Sequence, residues 1–405
     1  PREWRVLASH IQTPCLETAD GCRGWTIETL GRQELRTTAP TATYSHNKGD
    51  SGMRFPEYLA QLGGTSFLYA NASNAFKDIL AYLVKTSSRP GPNIIMPSYI
   101  PAKLYRAALA AGCSVRFYEV YGNCTFDLDE VERQADDGTI ALFYVHYFGF
   151  PNQLEEMCAL ARRLNVLMIE DCALSIGGTH KGKPLGTFGD VALFSLRKMF
   201  LFTEGGFLRL SETLSEFQPQ YEWRVNNCYS IGRYAKQRIK YAYVRLTGGA
   251  DPLRVFKVDP VGYVDTNAPA VLNVKMLSSF SEHRLKYVDM DRVVRKRREN
   301  YTTVAQRFPA SKVFRPLHFS LPEGCIPYSF PMLVDNDHRD FYRHELLRRG
   351  IVTGAGWPES PFHPSQKPCR ALSDRLLELP VHHALTRRQL LRSLEGIKQL
   401  EAARP

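Results

Sequence analysis

Two acids and a lysine define the chemistry this chain could perform. The apolar run Val166-Leu167-Met168-Ile169 ends on Glu170 and Asp171, and a second, Ala192-Leu193-Phe194, leads through Ser195 to Lys198 and on to the paired Gly205-Gly206. A carboxylate at a strand end can hold a proton on a basic ring nitrogen. A lysine between a buried strand and the apolar run Met199 to Phe202 is partly desolvated, which lowers its pKa and frees the amine to form an imine. Taken singly, Lys198 reads as a surface lysine and Asp171 as a helix N-cap; together they suit a cofactor with a pyridine ring and an aldehyde. Pyridoxal phosphate (PLP) is that cofactor, with Lys198 as the Schiff-base residue and Asp171 as the partner of the ring nitrogen. Strand alternation turns Glu170 to the opposite face.

A phosphate requires backbone N–H groups at a helix start, with hydroxyls nearby. Asn71-Ala72-Ser73-Asn74 opens a helix directly after a strand, and Ser195 is a second hydroxyl close to Lys198. Ala72, Ser73 and Ser195 are therefore expected at the phosphate, although Ser73 reads equally well as a plain N-cap. Tyr99 and His146 both fall just past strand ends, where each could touch cofactor or substrate or pack in the core.

Strands and helices alternate through the first half of the chain. The pattern predicts helix Phe55 to Leu62, strand Ser66 to Tyr69, helix Ser73 to Leu83 and strand Asn93 to Met96. Helix Ala102 to Ala110, strand Ser114 to Glu119, strand Ile140 to Val145, helix Asn152 to Leu164 and strand Val166 to Glu170 follow. Such alternation argues for an α/β fold with a mostly parallel sheet flanked by helices, whose ligands collect at the carboxyl ends of the strands. The pattern loosens between Glu212 and Pro269. One long basic helix is then expected from Ser279 to Phe308, with the Arg292 to Arg298 cluster on a solvated face. A second unit follows, with strand Tyr328 to Val334, helix Asp337 to Arg349, an Ile351-Val352 edge and a final helix from Thr386.

With 405 residues, 44% of them hydrophobic, the chain can bury a large core in two domains. Its nine scattered cysteines contain no C-x-x-C pair and read as reduced thiols of a cytoplasmic protein. Neither a membrane-spanning apolar run nor a signal-peptide core is present. The formal charge of +11 is dispersed and shows no nucleic-acid-binding stripe, so an anionic small molecule is the expected partner, with neither nucleic acid nor membrane.

Taken in order, these segments resemble the DegT/StrS family of PLP-dependent aminotransferases. Asn71-Ala72-Ser73 stands where that family has Ser-Gly-Thr, and Met96-Pro97-Ser98-Tyr99 where it has its Pro-aromatic loop. Val145-His146-Tyr147-Phe148-Gly149 is similar to V-H-x-x-G, Glu170-Asp171-Cys172-Ala173 to E-D-A-A, and Gly189-Asp190 with Phe194-Ser195 to G-D…F-S. Asn273-Val274-Lys275-Met276 is similar to N-Y-R-M, a segment that reaches into the neighbouring subunit's site. Arg349 to Gly354 and Leu379-Pro380-Val381-His382 resemble the small domain.

The resemblance implies a fold-type-I PLP enzyme, with an N-terminal segment over 1–52, a large cofactor domain over 53–285 and a small C-terminal α+β domain over 286–405. It implies a homodimer with shared sites and Asn273 contributed across the interface. It also implies transfer of an amino group from glutamate or glutamine to a keto group, on a nucleotide-linked sugar or another natural-product intermediate. Three departures lie around the cofactor. Ser195 and Lys198 are three residues apart instead of five; Leu174 replaces the family's Gln or His beside the cofactor's phenolic oxygen; Pro101 replaces an aromatic over the ring. PLP chemistry of another kind (dehydration, decarboxylation or carbon–carbon bond formation) and a catalytically silent family member are the alternatives.

Overall fold

The computed structural model describes residues 52–247, 273–335, 338–357 and 372–401, so the expected N-terminal segment lies, but for its last residue, outside the described residues. Helix α1 (Phe55–Leu62) precedes β1 (Thr65–Tyr69), α2 (Ala72–Thr86), β2 (Asn93–Pro97), α3 (Ala102–Ala110) and β3 (Ser114–Tyr118). Next come α4 (Leu128–Arg133), β4 (Thr139–Val145), α5 (Leu154–Arg163), β5 (Leu167–Asp171), the small hairpin β6 (Thr179–His180) and β7 (Lys183–Pro184), and β8 (Val191–Phe194). The one-turn helix α6 (Leu196–Met199), β9 (Gly206–Leu210), β10 (Trp223–Arg224), α7 (Asn227–Thr247) and β11 (Lys275–Met276) complete the first half.

Nine of these strands form one sheet in the order β10-β11-β1-β9-β8-β5-β4-β2-β3. From β3 to β8 all neighbours are parallel, and β9 runs antiparallel to both β8 and β1. Every residue of β2, β4, β8 and β9 is buried, the signature of strands covered on both faces. Helix α2 supplies part of that cover because Phe76, Ile79, Leu80 and Leu83 fall on one stripe. The register pairs Val145 with Asp171 and Asp171 with Leu193, so β4, β5 and β8 end together along one edge. That common edge gathers the residues with chemistry.

Helices α8 (Ser279–Leu285) and α9 (Met290–Arg307) lead to a three-stranded antiparallel sheet of β12 (Phe314–Pro316), β13 (Ser329–Val334) and β14 (Leu376–Pro380). Helix α10 (Arg339–Arg348) packs against β14, and α11 (Arg387–Leu400) packs against α9 and α10. The expected single helix from Ser279 to Phe308 is thus two. Asp289 breaks it by accepting the Arg292 N–H at 2.8 Å as the cap of α9, while the Val288 carbonyl turns aside to accept from Phe55 N at 3.2 Å. Ile351-Val352 forms no strand; only Gly354 bridges to β14, through two backbone bonds with Glu378. Helix α7 occupies part of the stretch where no pattern was legible, since it leaves Tyr229, Ile231 and Ile239 exposed and so carries little apolar periodicity. The six described cysteines, at 113, 124, 158, 172, 228 and 325, are free thiols.

Arg297 corrects the reading of its cluster as a solvated face. It is fully buried, and its guanidinium donates to the carbonyls of Pro327 (3.2 Å), Tyr328 (3.0 Å), Met199 (3.0 Å) and Lys198 (3.4 Å). Burial pulls its pKa down to about 10. One cation therefore ties α6 to the start of β13 and holds the main chain of Lys198. Arg297→Ala strands these acceptors in the core and is expected to lower unfolding stability by about 3 kcal/mol or more, read by urea denaturation.

Candidate active site

Asp171 and Lys198 meet at the strand edge. Asp171 Oδ1 accepts from Ala173 N at 2.9 Å, and among the described residues its second oxygen accepts no hydrogen bond. Burial raises the Asp171 carboxyl above its ordinary value, and the Lys198 charge opposes that rise. Lys198 sits on α6, which follows β8 directly, with Leu196 N donating to the Gly205 carbonyl at 3.1 Å. Desolvation pulls the Lys198 amine down, opposed by Asp171 and, more weakly, by Glu378. A depressed lysine is neutral at lower pH than a surface one. In cofactor-free protein, acylation of Lys198 should therefore reach half its plateau at a lower pH than that of exposed Lys85, as read by peptide mass spectrometry across a pH series.

The start of α2 lies beside this pair. Its N-cap is Asn71 and not Ser73: Asn71 Oδ1 accepts from Asn74 N at 3.0 Å. The Ala72 amide faces Gly206, where an added Cβ would stand 2.5 Å from that nitrogen. Only a glycine lets β9 and the first turn of α2 approach so closely. Ser195 is buried, yet its hydroxyl does not cap α6. Lys103 donates to Asn71 Oδ1 at 3.4 Å, close enough to Arg197 and Lys198 for their charges to act on it. Sequence reasoning missed Lys103 and Arg197, for neither stands in a motif; the adjacency of Arg197 to Lys198 was the one available signal.

Glu170 does turn to the other face, where it anchors a buried polar knot. It accepts from the amides of Gly186 (2.9 Å), Phe188 (2.7 Å) and Gly189, and pairs with His146 Nε2 at 3.0 Å. Burial alone would raise this carboxyl; His146 and the amides outweigh burial and hold it below its usual range. His146 thus leans on Glu170, with the Tyr144 ring edge-on at 4.9 Å. Cys172 brings a third metal-ligand type into this knot, but the Glu170 carboxylate is already filled by backbone donors.

The remaining expected residues divide between the site and the sheet edge. Tyr99 is buried, stacks with Tyr147 at 5.8 Å and accepts from Trp357 N at 3.2 Å. The Trp357 ring centroid lies 5.6 Å from Lys198 Nζ, which brings Tyr99 to the lysine side of the pocket. Leu174 is buried and apolar. Asn273 stands just before β11 and bonds within this chain to Glu222. Trp357 and Glu378 had no signal in sequence, because Trp357, which approaches the lysine, and Glu378, whose charge acts on it, come from the part of the chain that carries the second sheet.

Residues 27–216 match the model of the DegT/DnrJ/EryC1/StrS aminotransferase family. A GDP-perosamine synthase of Escherichia coli O157:H7 is 28% identical over 169 residues, covering 41% of this chain and 46% of that protein. A dTDP-4-dehydro-2,3,6-trideoxy-D-glucose 4-aminotransferase of Saccharopolyspora spinosa is 24% identical over 321 residues, 73% of this chain and 74% of that one. The match to the perosamine synthase thus spans under half of that relative's length. Among solved structures, the aminotransferase PseC of Helicobacter pylori, involved in the biosynthesis of pseudoaminic acid, superposes with a TM-score of 0.64 at 15% identity. It covers 86% of this chain and 90% of its own, which bears out the expected fold class. No helix among the described residues is long and apolar enough to cross a membrane.

Proposed function

Because residues 27–216 match the model of the DegT/DnrJ/EryC1/StrS aminotransferase family, we propose that this chain is a PLP-dependent aminotransferase of that family. It takes an amino group from glutamate or glutamine and delivers it to a keto group on a nucleotide-linked sugar or another anionic natural-product intermediate. The observation that carries this reading is the pairing of buried Asp171 with half-buried Lys198 at the carboxyl ends of β5 and β8, with one Asp171 oxygen left open. The residues fit the cofactor: the buried Asp171 keeps one oxygen that accepts no hydrogen bond among the described residues, the buried Ser195 hydroxyl does not cap α6, and the charges of Lys103, Arg197 and Lys198 act on one another beside the α2 start.

When bound, PLP would carry the amino group between donor and acceptor and would supply an electron sink for the proton transfers. The open Asp171 oxygen keeps the proton on the ring nitrogen. Lys198 is the residue that would hold the cofactor, and its amine would serve as the general base and acid that moves a proton. The Ala72 and Ser73 amides and the Ser195 hydroxyl bind the phosphate, and Lys103 and Arg197 add positive charge beside them. Tyr99 and Leu174 would line the cofactor site, and His146, paired with Glu170, would brace the β4 end. Asn273 from a second copy of the chain completes the site, so the working unit is a cytoplasmic homodimer. Its cofactor domain runs over 53–285 and its small domain over 286–405.

A half-reaction tests this reading. Holoenzyme mixed with glutamate in stoichiometric amounts should yield 2-oxoglutarate with conversion of the cofactor to its amine form. If no common amino acid yields its keto acid, the transaminase reading fails and another PLP reaction takes its place.

A further inference from the structure

A second carboxylate, on the other sheet, acts electrostatically on the Lys198 amine. Glu378 lies on β14, buried, and its charge acts on Lys198. Its Oε2 accepts from Ser329 Oγ on the neighbouring strand β13, and its Oε1 accepts from Gly356 N at 3.1 Å. Its own backbone N–H and carbonyl bond Gly354 at 3.0 and 2.9 Å. The segment from Gly354 to Trp357 is therefore strapped to one residue by three hydrogen bonds, two from the main chain and one from the side chain.

That strap ends at the lysine. One residue past Gly356, the Trp357 amide donates to Tyr99 Oη at 3.2 Å, and the indole lies 5.0 Å from the Tyr99 ring and 6.0 Å from Tyr147. The same indole lies over Lys198 Nζ, whose distance to the ring centroid is 5.6 Å. Gly356 has φ +62, and a Cβ there would collide with the Tyr99 hydroxyl, so the segment can lie this close only as glycine. A carboxylate has lone pairs enough to accept from both Ser329 and Gly356. We propose that Glu378 is a positioning residue of the Lys198 site, clamping the Gly354–Trp357 segment so that the indole covers the lysine amine. The clamp makes one wall of the pocket a property of the second sheet unit. Its importance rests on Lys198 being the reacting amine, but its existence does not depend on any bound cofactor.

The test uses the full chain, freed of cofactor and treated with acetic anhydride, with Lys198 acetylation measured by peptide mass spectrometry against exposed Lys85. Glu378→Ala should raise the relative rate at Lys198 roughly tenfold, on the order expected when a charge-assisted hydrogen bond is lost. Trp357→Ala should do the same, and the double variant should exceed neither, because both remove one cover. Labelling is compared at a pH high enough that Lys198 is neutral in every variant, so that loss of the Glu378 charge does not itself change the rate. Glu378→Gln should then stay within about twofold of the parent, since a carboxamide can still accept from Gly356 and donate to Ser329. Should the alanine variant not fold, Glu378→Asp, a methylene too short to reach Gly356, takes its place and should raise the rate as well. Unchanged labelling in the Ala or Asp variant, multiplicative effects of the two alanine changes, or a Gln variant as exposed as Ala would each overturn the clamp. None of these readouts involves turnover, so failure of the aminotransferase reading would be seen separately, in the half-reaction with glutamate.

Discussion

Lys198→Ala is expected to abolish amino transfer, with a loss on the order of ten-thousand-fold or more, because one amine both holds the cofactor and moves the proton. The change itself is mild for the fold. The side chain is half-buried, and Arg297 bonds the Lys198 carbonyl, which the substitution leaves in place. Unfolding stability should therefore stay near that of the parent while steady-state turnover vanishes. Lys103, the other lysine near the α2 start, already donates to Asn71 and should not substitute for it. Appreciable turnover by the Lys198→Ala protein would remove Lys198 from the chemistry.

The second large effect separates two adjacent acids. Asp171→Asn should lower kcat by roughly a hundred- to a thousand-fold, because a neutral amide cannot hold the proton on a ring nitrogen. It should leave stability nearly unchanged, for the amide oxygen can still accept from Ala173 N. Glu170→Gln should behave in the opposite way. Its carboxylate accepts from three backbone amides and His146, so an NH2 group in place of one oxygen sets donor against donor in a sealed pocket. The expected cost is about 2 kcal/mol or more in unfolding free energy, with kcat in the folded fraction little affected. Paired denaturation curves and initial rates decide the matter. Equal activity losses with equal stability losses would mean that the two acids do not differ in role.

The parts of the fold legible in sequence are those where one signal dominates. Continuous apolar runs such as Ile140 to Val145 could only be strands covered on both faces, and the structure places β4 there within one residue. Helix α3 matches its expected span, Ala102 to Ala110, since its apolar stripe follows a proline boundary. What was illegible depended on partners distant in the chain. The break before α9 draws the Val288 carbonyl to the distant Phe55 amide, and Arg297 is buried by carbonyls from α6 and from before β13. An arginine inside a basic run looks solvated until the acceptors that surround it are known. Within the site, Asp171, Lys198, Ser195 and the α2 start were readable because each follows a strand that ends at the common edge. Glu378 and Trp357 were not, because they arrive from a separate sheet whose approach to the first no local pattern encodes.

The central claim is that Lys198 is the residue that carries the cofactor. The most direct measurement is borohydride reduction of the PLP-loaded protein followed by proteolysis and mass spectrometry of the modified peptide. The account predicts a single phosphopyridoxyl group on Lys198. A modification mapped to Lys103 or any other lysine, or a protein that takes up no PLP at all, would contradict it.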